Sequence, residues 1–587
     1  MGVPGFFASL YSKYANKKFV FSKCDLNIDN FFFDINSIDE LFLDANCLIH
    51  PVCFKIFNEN QFLLISNPKK LEEKMIKAII LYIEELINYV NPNGLVFIAI
   101  DGVAPMAKIK HQRMRRFKSI LDAEIKESIA LKHNVEYIKP WNNSAITPGT
   151  EFMTKITTGI INYLNIKKNN NISNPNKVQY IFSTANTHGE GEHKILQYIK
   201  SNISSNKCRI IYGLDADLLY LALSSEASRI YLLREITEFQ NIKSSDKFCY
   251  VSIDVMKECI YENVIENIIP NNDLFIINKS RFIQDYIFMG FLLGNDFLPS
   301  LPSVNLMIGK KNLSGLEILL RAYSEAFLEI NKLDTFEFII QTKPKIKINY
   351  NFIKVLFKFL TVEEEPYFRA RYKNRKFVKQ CEKNDAYNLE IHNLENLMFK
   401  IPDLFELGKE NVSIQKSKTK YYEHYFHDNI DDVIEEYFKG LYWNSYYYFE
   451  KCPDYKFYFE HHKAPFVSDI YKWILNNEQK IEQMEFIYPR FNDYSTLIHP
   501  IQQLFMVIPV QSSFLLPSSF KQVMINLPEY FPKKISQDFQ LITKYWQALP
   551  DIKILDPFLA WANIKHIKLT DKENERNKFK KPYQITI

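Results

Sequence analysis

Residues 95–118 read Leu-Val-Phe-Ile-Ala-Ile-Asp-Gly-Val-Ala-Pro-Met-Ala-Lys-Ile-Lys-His-Gln-Arg-Met-Arg-Arg-Phe-Lys. The apolar run 95–100 is short and rich in β-branched and aromatic side chains, which marks a buried strand. Asp101 and Gly102 end it, and a helix-compatible stretch without a single acid follows. Strand, acid, helix is the repeating unit of an open, mainly parallel α/β sheet. The same pattern recurs along the first 300 or so residues. Leu41–Leu43 leads into Asp44, and Arg209–Tyr212 leads into Asp215-Ala216-Asp217. Val178–Phe182 is followed by a loop and then Glu190-Gly191-Glu192, and Ile230–Leu233 reads as a further strand. Helical periodicity covers Leu71–Tyr89 and Lys194–Lys200, and Thr147-Pro148-Gly149-Thr150-Glu151 reads as a turn and N-cap ahead of a helix to about Leu164.

In an open α/β sheet ligands bind beyond the carboxyl ends of the strands. Parallel strands would therefore gather Asp44, Asp101, Glu190, Glu192, Asp215 and Asp217 into one crevice. The i and i+2 members of Glu190/Glu192 and Asp215/Asp217 would share a side if the backbone there is extended. Asp296, in Gly294-Asn295-Asp296-Phe297-Leu298-Pro299, follows an apolar helix and could close the group. So many carboxylates repel one another unless cations sit among them. Oxygen donors without His or Cys spacing favour Mg²⁺ or Mn²⁺ over zinc. A pair of such ions suits in-line attack on a phosphodiester. The plainer readings are helix N-caps, since a lone Asp after a strand usually caps, and a lone DxD that would equally serve a glycosyltransferase.

On a helix after Asp101, Lys108, Gln112, Arg115 and Arg116 fall at i, i+4, i+7 and i+8, which is one face. A positive face beginning beside a metal-binding acid fits capture of a nucleic-acid phosphate, against the alternative of an ordinary solvated basic face. His50, near the start of the helix after Asp44, is either a packed histidine or a ring that stacks on a base, with C-terminal aromatics opposite.

Composition agrees with a folded protein of several structural units: 587 residues, 47% hydrophobic and 24% charged. A net charge of +5 excludes a histone-like binder but permits a local basic patch. The eight cysteines show no CxxC pair, so neither a zinc finger nor a disulfide framework is expected. No apolar run is long enough to span a bilayer. The expectation is a soluble intracellular monomer, cytoplasmic rather than nuclear. Glycine is scarce, 15 in all, and Gly102, Gly189, Gly191, Gly213 and Gly294 each lie within two residues of a proposed ligand. Gly408 and Gly440 have no such neighbour.

These residues together resemble the XRN-type 5′→3′ exoribonucleases, distant relatives of the flap endonucleases. The resemblance runs through Met1-Gly2-Val3-Pro4, LFLDANCLIH (41–50), AIDGVAPMAKIKHQRMRRF (99–117), ITPGTEFM (146–153), GEGEHKI (189–195), YGLDADLLYLAL (212–223), LLREI (232–236) and FLLGNDFLPSLP (291–302). It continues more weakly through Ala464-Pro465-Phe466, Gln503–Pro509, Tyr545-Trp546-Gln547 and Glu575-Arg576-Asn577. The resemblance implies a PIN/flap-nuclease-like α/β fold, a mainly parallel sheet flanked by helices, with a mixed helical C-terminal segment bracing the active site. It implies that Asp44, Asp101, Glu190, Glu192, Asp215, Asp217 and Asp296 bind metal, with two ions expected, Mg²⁺ or Mn²⁺. It also implies that Lys108, Gln112, Arg115 and Arg116 hold a 5′-monophosphate and that His50 stacks on the first base. The implied enzyme degrades 5′-monophosphorylated single-stranded RNA processively to mononucleotides in RNA decay, with decapping factors as conceivable partners.

This chain departs from the family pattern at several places. Cys47 stands where glycine is usual after Asn46, His188 replaces a proline before the GEGE motif, and Gly5 replaces a lysine. The tryptophan-rich element opposite the histidine reads Pro453-Asp454-Tyr455-Lys456-Phe457, which makes Tyr455 the candidate stacking partner. The nuclear members' zinc knuckle and the long cytoplasmic members' extra domains are not found, so a near-minimal catalytic core is expected. The expected division is a nuclease domain at 1–330, a divergent helical connector at 331–420 and a C-terminal segment at 421–587 that wraps the first. Two rival functions share parts of this pattern: a structure-specific 5′ DNA nuclease of flap-endonuclease type, and a catalytically silent RNA-binding scaffold.

Overall fold

The run Leu95–Ala99 is buried along its whole length and lies inside a sheet covered on both faces. The structure, a computed structural model, describes residues 19–22, 37–170, 177–203, 206–236, 246–268, 278–304, 314–331, 336–374, 385–399, 401–484 and 497–587. Met1-Gly2-Val3-Pro4 and Gly5 lie outside the described residues. The sheet strands are β1 (Val20–Ser22), β2 (Glu40–Asp44), β3 (Leu95–Ala99), β4 (Gln179–Ser183), β5 (Arg209–Tyr212), β6 (Ile230–Glu235), β7 (Phe248–Ser252) and β8 (Tyr583–Thr586). Their spatial order is β1-β7-β6-β5-β2-β3-β4-β8. The inner strands β6, β5, β2, β3 and β4 run parallel, and β7, β1 and β8 join antiparallel at the edges. Chain direction across the sheet reverses at β2, with β3 on one side and β5 on the other, so the crevice for a ligand opens there.

Strand register brings the acids together. Asp44 pairs with Ala99, Ala99 with Ser183, and Leu43 with Tyr212, so these strands end at one level. Alternate side chains enter two cores. Phe42, Phe97, Ile181 and Ile211 face one, while Leu41, Leu43, Val96, Ile98 and Phe182 face the other. The principal helices around the site are α1 (Asn46–Glu59), α2 (Pro68–Val90), α3 (Met106–Lys132), α4 (Glu151–Asn170), α5 (Gly191–Ser201), α6 (Ala216–Ser224), α7 (Lys279–Leu292), α8 (Ile430–Phe449) and α9 (Pro500–Val507). Helices α1, α2 and α4 cover the second core. Helices α5 to α8 share the first, together with Tyr350–Asn374 and Ile414–Tyr425 from the charged middle of the chain.

The C-terminal segment packs directly on the N-terminal one. Helix α3 contributes Ile109, Met114 and Phe117 to a third core with Leu504, Phe505 and Phe531. Gly440 lets α8 approach the loop after α7, since a Cβ there would lie 2.5 Å from a Leu298 methyl. Near the charged C-terminal end, Asp571–Asn577 forms a helix with a Thr570/Glu573 capping box. The chain then pairs as β8 with β4, a strand that the sequence reading did not foresee.

Candidate active site

Asp44 closes β2 and is 3% exposed. Asp101 stands two residues beyond β3, where it ties three strand ends together. Its Oδ2 accepts from Asn46 Nδ2 at 2.6 Å and its Oδ1 from the Gly191 amide at 2.7 Å. Gly191 is required there, because a Cβ would lie 2.7 Å from Asp44 Oδ1 and 3.4 Å from Asp101 Oδ1. Glu190 and Asp215 occupy the N-cap positions of α5 and α6, but neither side chain makes a capping hydrogen bond. The capping reading therefore fails for both. Glu192 and Asp217 lie in the first turns of the same helices. The expectation of an extended i, i+2 pair is corrected accordingly: each pair straddles a loop-to-helix junction. The first residue has extended backbone and the second is helical, so both carboxylates lie near a positive helix end. Asp296 comes from the loop after α7, held by Asn295 Oδ1 accepting from the Phe297 and Leu298 amides at 2.9 Å each.

The electrostatics join all seven acids into one group. Burial, then Asp101 and Asp215, push the Asp44 carboxyl well above its usual range. Burial and Asp217 do the same to Glu192, and burial with Asp296 pushes Asp217 up to about 7. Burial raises Asp101 and Glu190 as well, against the pull of Lys108. Asp296 goes the other way: burial opposes its ionisation, but His111 and Lys108 outweigh it and hold the carboxyl well below its usual range. Asp44 Oδ1, Glu192 Oε2 and Asp217 Oδ1 are buried without a hydrogen-bond partner. Orphaned, mutually repelling carboxylate oxygens fit hard divalent cations. The donor set is not purely oxygen, as the sequence had suggested. Cys47 Sγ joins Asp44 and Asp215 in a group whose ligand atoms lie within 4.8 Å of one another.

The basic face of α3 divides its work. Lys108 Nζ lies 2.5 Å from Glu190 Oε2 and 2.8 Å from Asp296 Oδ2, inside the acidic group rather than apart from it. Arg115 and Arg116 lie further along, close enough to His50 that burial and the two guanidinium charges lower its pKa to about 4. Burial, then Arg115, lowers Arg116 to about 9, and its Nε is buried without a partner. Among the described residues no carboxylate pairs with Arg115 or Arg116. Two neighbouring guanidinium groups without an acid, beside a neutral imidazole, are an arrangement suited to an anion. Gln112 Oε1 accepts from Gln503 Nε2 at 3.0 Å, and Gln503 Oε1 accepts from the Ala104 amide at 3.0 Å. This fixes the Gln112 carbonyl on Gln503 and leaves its NH₂ for another acceptor.

Tyr455 makes its described contacts with residues other than His50. Its ring meets His188 edge-on at 5.7 Å, and its carbonyl accepts from the Met106 amide at 2.7 Å. The residue thus sets the start of α3, and no described contact joins it to His50. Several site residues escaped the sequence reading. Tyr447 OH donates to Glu190 Oε1 at 2.7 Å while its ring stacks on His193 at 4.2 Å. Lys110 Nζ donates to the carbonyls of Phe459, Glu460 and His461 at 2.7–3.0 Å. Arg113 donates to the carbonyls of Lys553, Met506 and Tyr530. The only signals for these were the unbroken basic run and the Tyr446-Tyr447-Tyr448 cluster, and neither names its partner.

No helix among the described residues is long and apolar enough to cross a membrane. Residues 1–236 match the family described as "XRN 5'-3' exonuclease N-terminus", and residues 276–411 and 409–585 match "Xrn1 helical domain". The chain is 28% identical to the 5'-3' exoribonuclease 1 of Saccharomyces cerevisiae, over 93% of this chain and 42% of that protein. It is 27% identical to the 5'-3' exoribonuclease 1 of Homo sapiens, over 98% of this chain and 35% of that protein. The 5'-3' exoribonuclease 2 of Arabidopsis thaliana is 25% identical over 92% of this chain and 63% of its own length. The chain therefore spans less than two thirds of each of these relatives.

Proposed function

The chain belongs to the XRN 5'-3' exonuclease family, and from that premise we propose that it hydrolyses single-stranded RNA from a 5′-monophosphate end, releasing mononucleotides. The observation that carries this reading is the acid-free pocket where Arg115 and Arg116, on the same helix as Lys108 of the acidic group, meet His50 of α1. Eight residues separate Lys108 from Arg116, about 12 Å along the helix axis. A 5′-phosphate held by the guanidinium groups would leave the first phosphodiester at the carboxylates, which is the geometry of stepwise removal from an end.

The protein's residues divide the task. Arg115 and Arg116 bind the terminal phosphate by charge-assisted hydrogen bonds, and the Gln112 amide adds a donor. His50, neutral at physiological pH, offers a flat face to the first base. Lys108 moderates the charge of Glu190 and Asp296, and Asp101 holds α1 and α5 at the strand ends. Asp44, Glu192, Asp215 and Asp217 would hold two divalent cations, Mg²⁺ or Mn²⁺. When bound, such cations supply Lewis-acid polarisation of the phosphodiester and a nucleophile at neutral pH.

The test uses RNAs of one sequence that carry a 5′-monophosphate, hydroxyl or triphosphate, incubated with the protein and Mg²⁺. The monophosphate RNA should be degraded preferentially to mononucleotides, and Arg116→Ala should reduce that preference by about 10- to 100-fold. Equal degradation of the three ends, or a preference for a DNA flap, would overturn the reading.

A further inference from the structure

We propose that Cys47 supplies a sulfur ligand, so that Asp44, Cys47 and Asp215 together bind a thiophilic divalent cation of the Zn²⁺ or Cd²⁺ type. Cys47 places a thiol inside the acidic group. The proposal rests on the nuclease reading for its consequence, competition with Mg²⁺, but not for the binding itself.

The geometry follows from the start of α1. Cys47 is the second residue of that helix, and the first turn carries its side chain back over the end of β2. Cys47 Sγ donates to Asp44 Oδ2 at 3.1 Å and accepts from the Leu214 amide at 3.5 Å, next to Asp215. The ligand atoms of Asp44, Cys47 and Asp215 all lie within 4.8 Å of one another. A tetrahedral ion with one sulfur and two oxygen ligands needs them about 3.5 Å apart, given metal distances of roughly 2.3 and 2.0 Å. The closure required is therefore at most about 1.3 Å, and Asp215 is the exposed member of the three.

A second observation points to a ligand independently of the thiol. Asp44 is 3% exposed, and its Oδ1 is buried with no hydrogen-bond partner. A buried carboxylate oxygen without a donor is satisfied by a cation. Three protein ligands leave the fourth position of a tetrahedral ion for water, as in catalytic zinc sites. Carboxylates alone favour hard ions, whereas a thiolate selects softer ones. On binding, the Cys47 sulfur forms a bond to the metal and its proton passes to solvent, with no change of oxidation state.

The test is a titration of the Mg²⁺-free protein with Cd²⁺, followed by the ultraviolet charge-transfer absorption of cadmium thiolate. Wild type should show the band, Zn²⁺ should abolish it, and excess Mg²⁺ should raise the Cd²⁺ concentration needed to produce it. Cys47→Ala should lose the Cys47 component. Asp215→Asn, which keeps the thiol, should weaken binding by at least the roughly tenfold that even an outer-shell partner is worth. The chain holds seven other cysteines, so the difference between wild type and Cys47→Ala is the decisive quantity. Should Cys47→Ala lose the native circular-dichroism spectrum, Cys47→Ser replaces it. Identical bands in wild type and the Cys47 variant, or Asp215→Asn binding as tightly as wild type, would overturn the proposal. A band in a protein that fails to degrade RNA would leave this proposal standing and overturn the nuclease reading instead.

Discussion

Asp217 shows what the site costs the fold. It is 3% exposed, and burial with Asp296 beside it pushes its carboxyl up to about 7. The metal-free folded chain thus binds a proton here more tightly than the unfolded chain, whose Asp titrates near 3.8. That stabilising contribution is full below about pH 4 and is lost as pH rises through about 7. Asp44 and Glu192 are shifted in the same direction. The thermal midpoint of EDTA-treated protein should therefore fall further below that of the Mg²⁺-loaded protein at about pH 8 than at about pH 5. Calorimetry at the two values checks this, and a gap independent of pH would refute it. Asp217→Asn removes one of the repelling charges, so it should narrow the gap at the higher pH while lowering hydrolysis by about 100-fold or more. Parallel calorimetry and RNA-decay assays would separate the two effects.

Helix α3 is the element on which the two halves of the chain converge. One set of its cations serves the site, and another, Lys110 and Arg113, is spent on carbonyls of the C-terminal segment. Arg113 is buried, and burial lowers its pKa to about 9, so its charge is supported by the carbonyls around it and by the ring faces of Phe117 and Phe531. Arg113→Met preserves bulk but strands three acceptors, and it should destabilise the protein by about 3 kcal/mol or more in urea unfolding. A change below about 1 kcal/mol would show that water replaces the guanidinium without loss. Periodicity correctly made α3 a helix with a basic face. It could not tell a cation that meets a phosphate from one that meets a backbone carbonyl, because both need the same side chain.

Across the whole molecule, the last strand closes one edge of the eight-stranded sheet. β8 pairs with β4 in the register Tyr583 to Phe182 and Thr586 to Gln179. Just before it, the chain is anchored by Asn186 Nδ2 donating to the Lys578 carbonyl at 2.8 Å and Thr187 Oγ1 to the Lys580 carbonyl at 3.0 Å. Both anchors lie in the loop that leads to Glu190. Removing residues 583–587 exposes the β4 edge, and unpaired edges invite association. The truncated protein should melt at least a few degrees lower and self-associate with concentration, as read by calorimetry and light scattering. A monodisperse truncation with an unchanged midpoint would show that the sheet is complete without β8.

The sequence by itself determined the α/β class, the strands that end in acids and the helix that carries the cations. These features depend on composition and spacing within a few residues: apolar runs of strand length, acids directly after them, and helical periodicity. The local backbone at Glu190 and Asp215, the place of Lys108 among the acids, the entry of Cys47 and the diversion of Tyr455 to His188 were decided only by tertiary structure. So were the roles of Arg113, Gln503 and Tyr447, whose partners lie hundreds of positions away in the chain. The physical reason is that burial and charge pairing are properties of a neighbourhood. A sequence shows which groups can ionise or donate, but packing chooses which of them meet, and here it set a thiol and a lysine among the carboxylates.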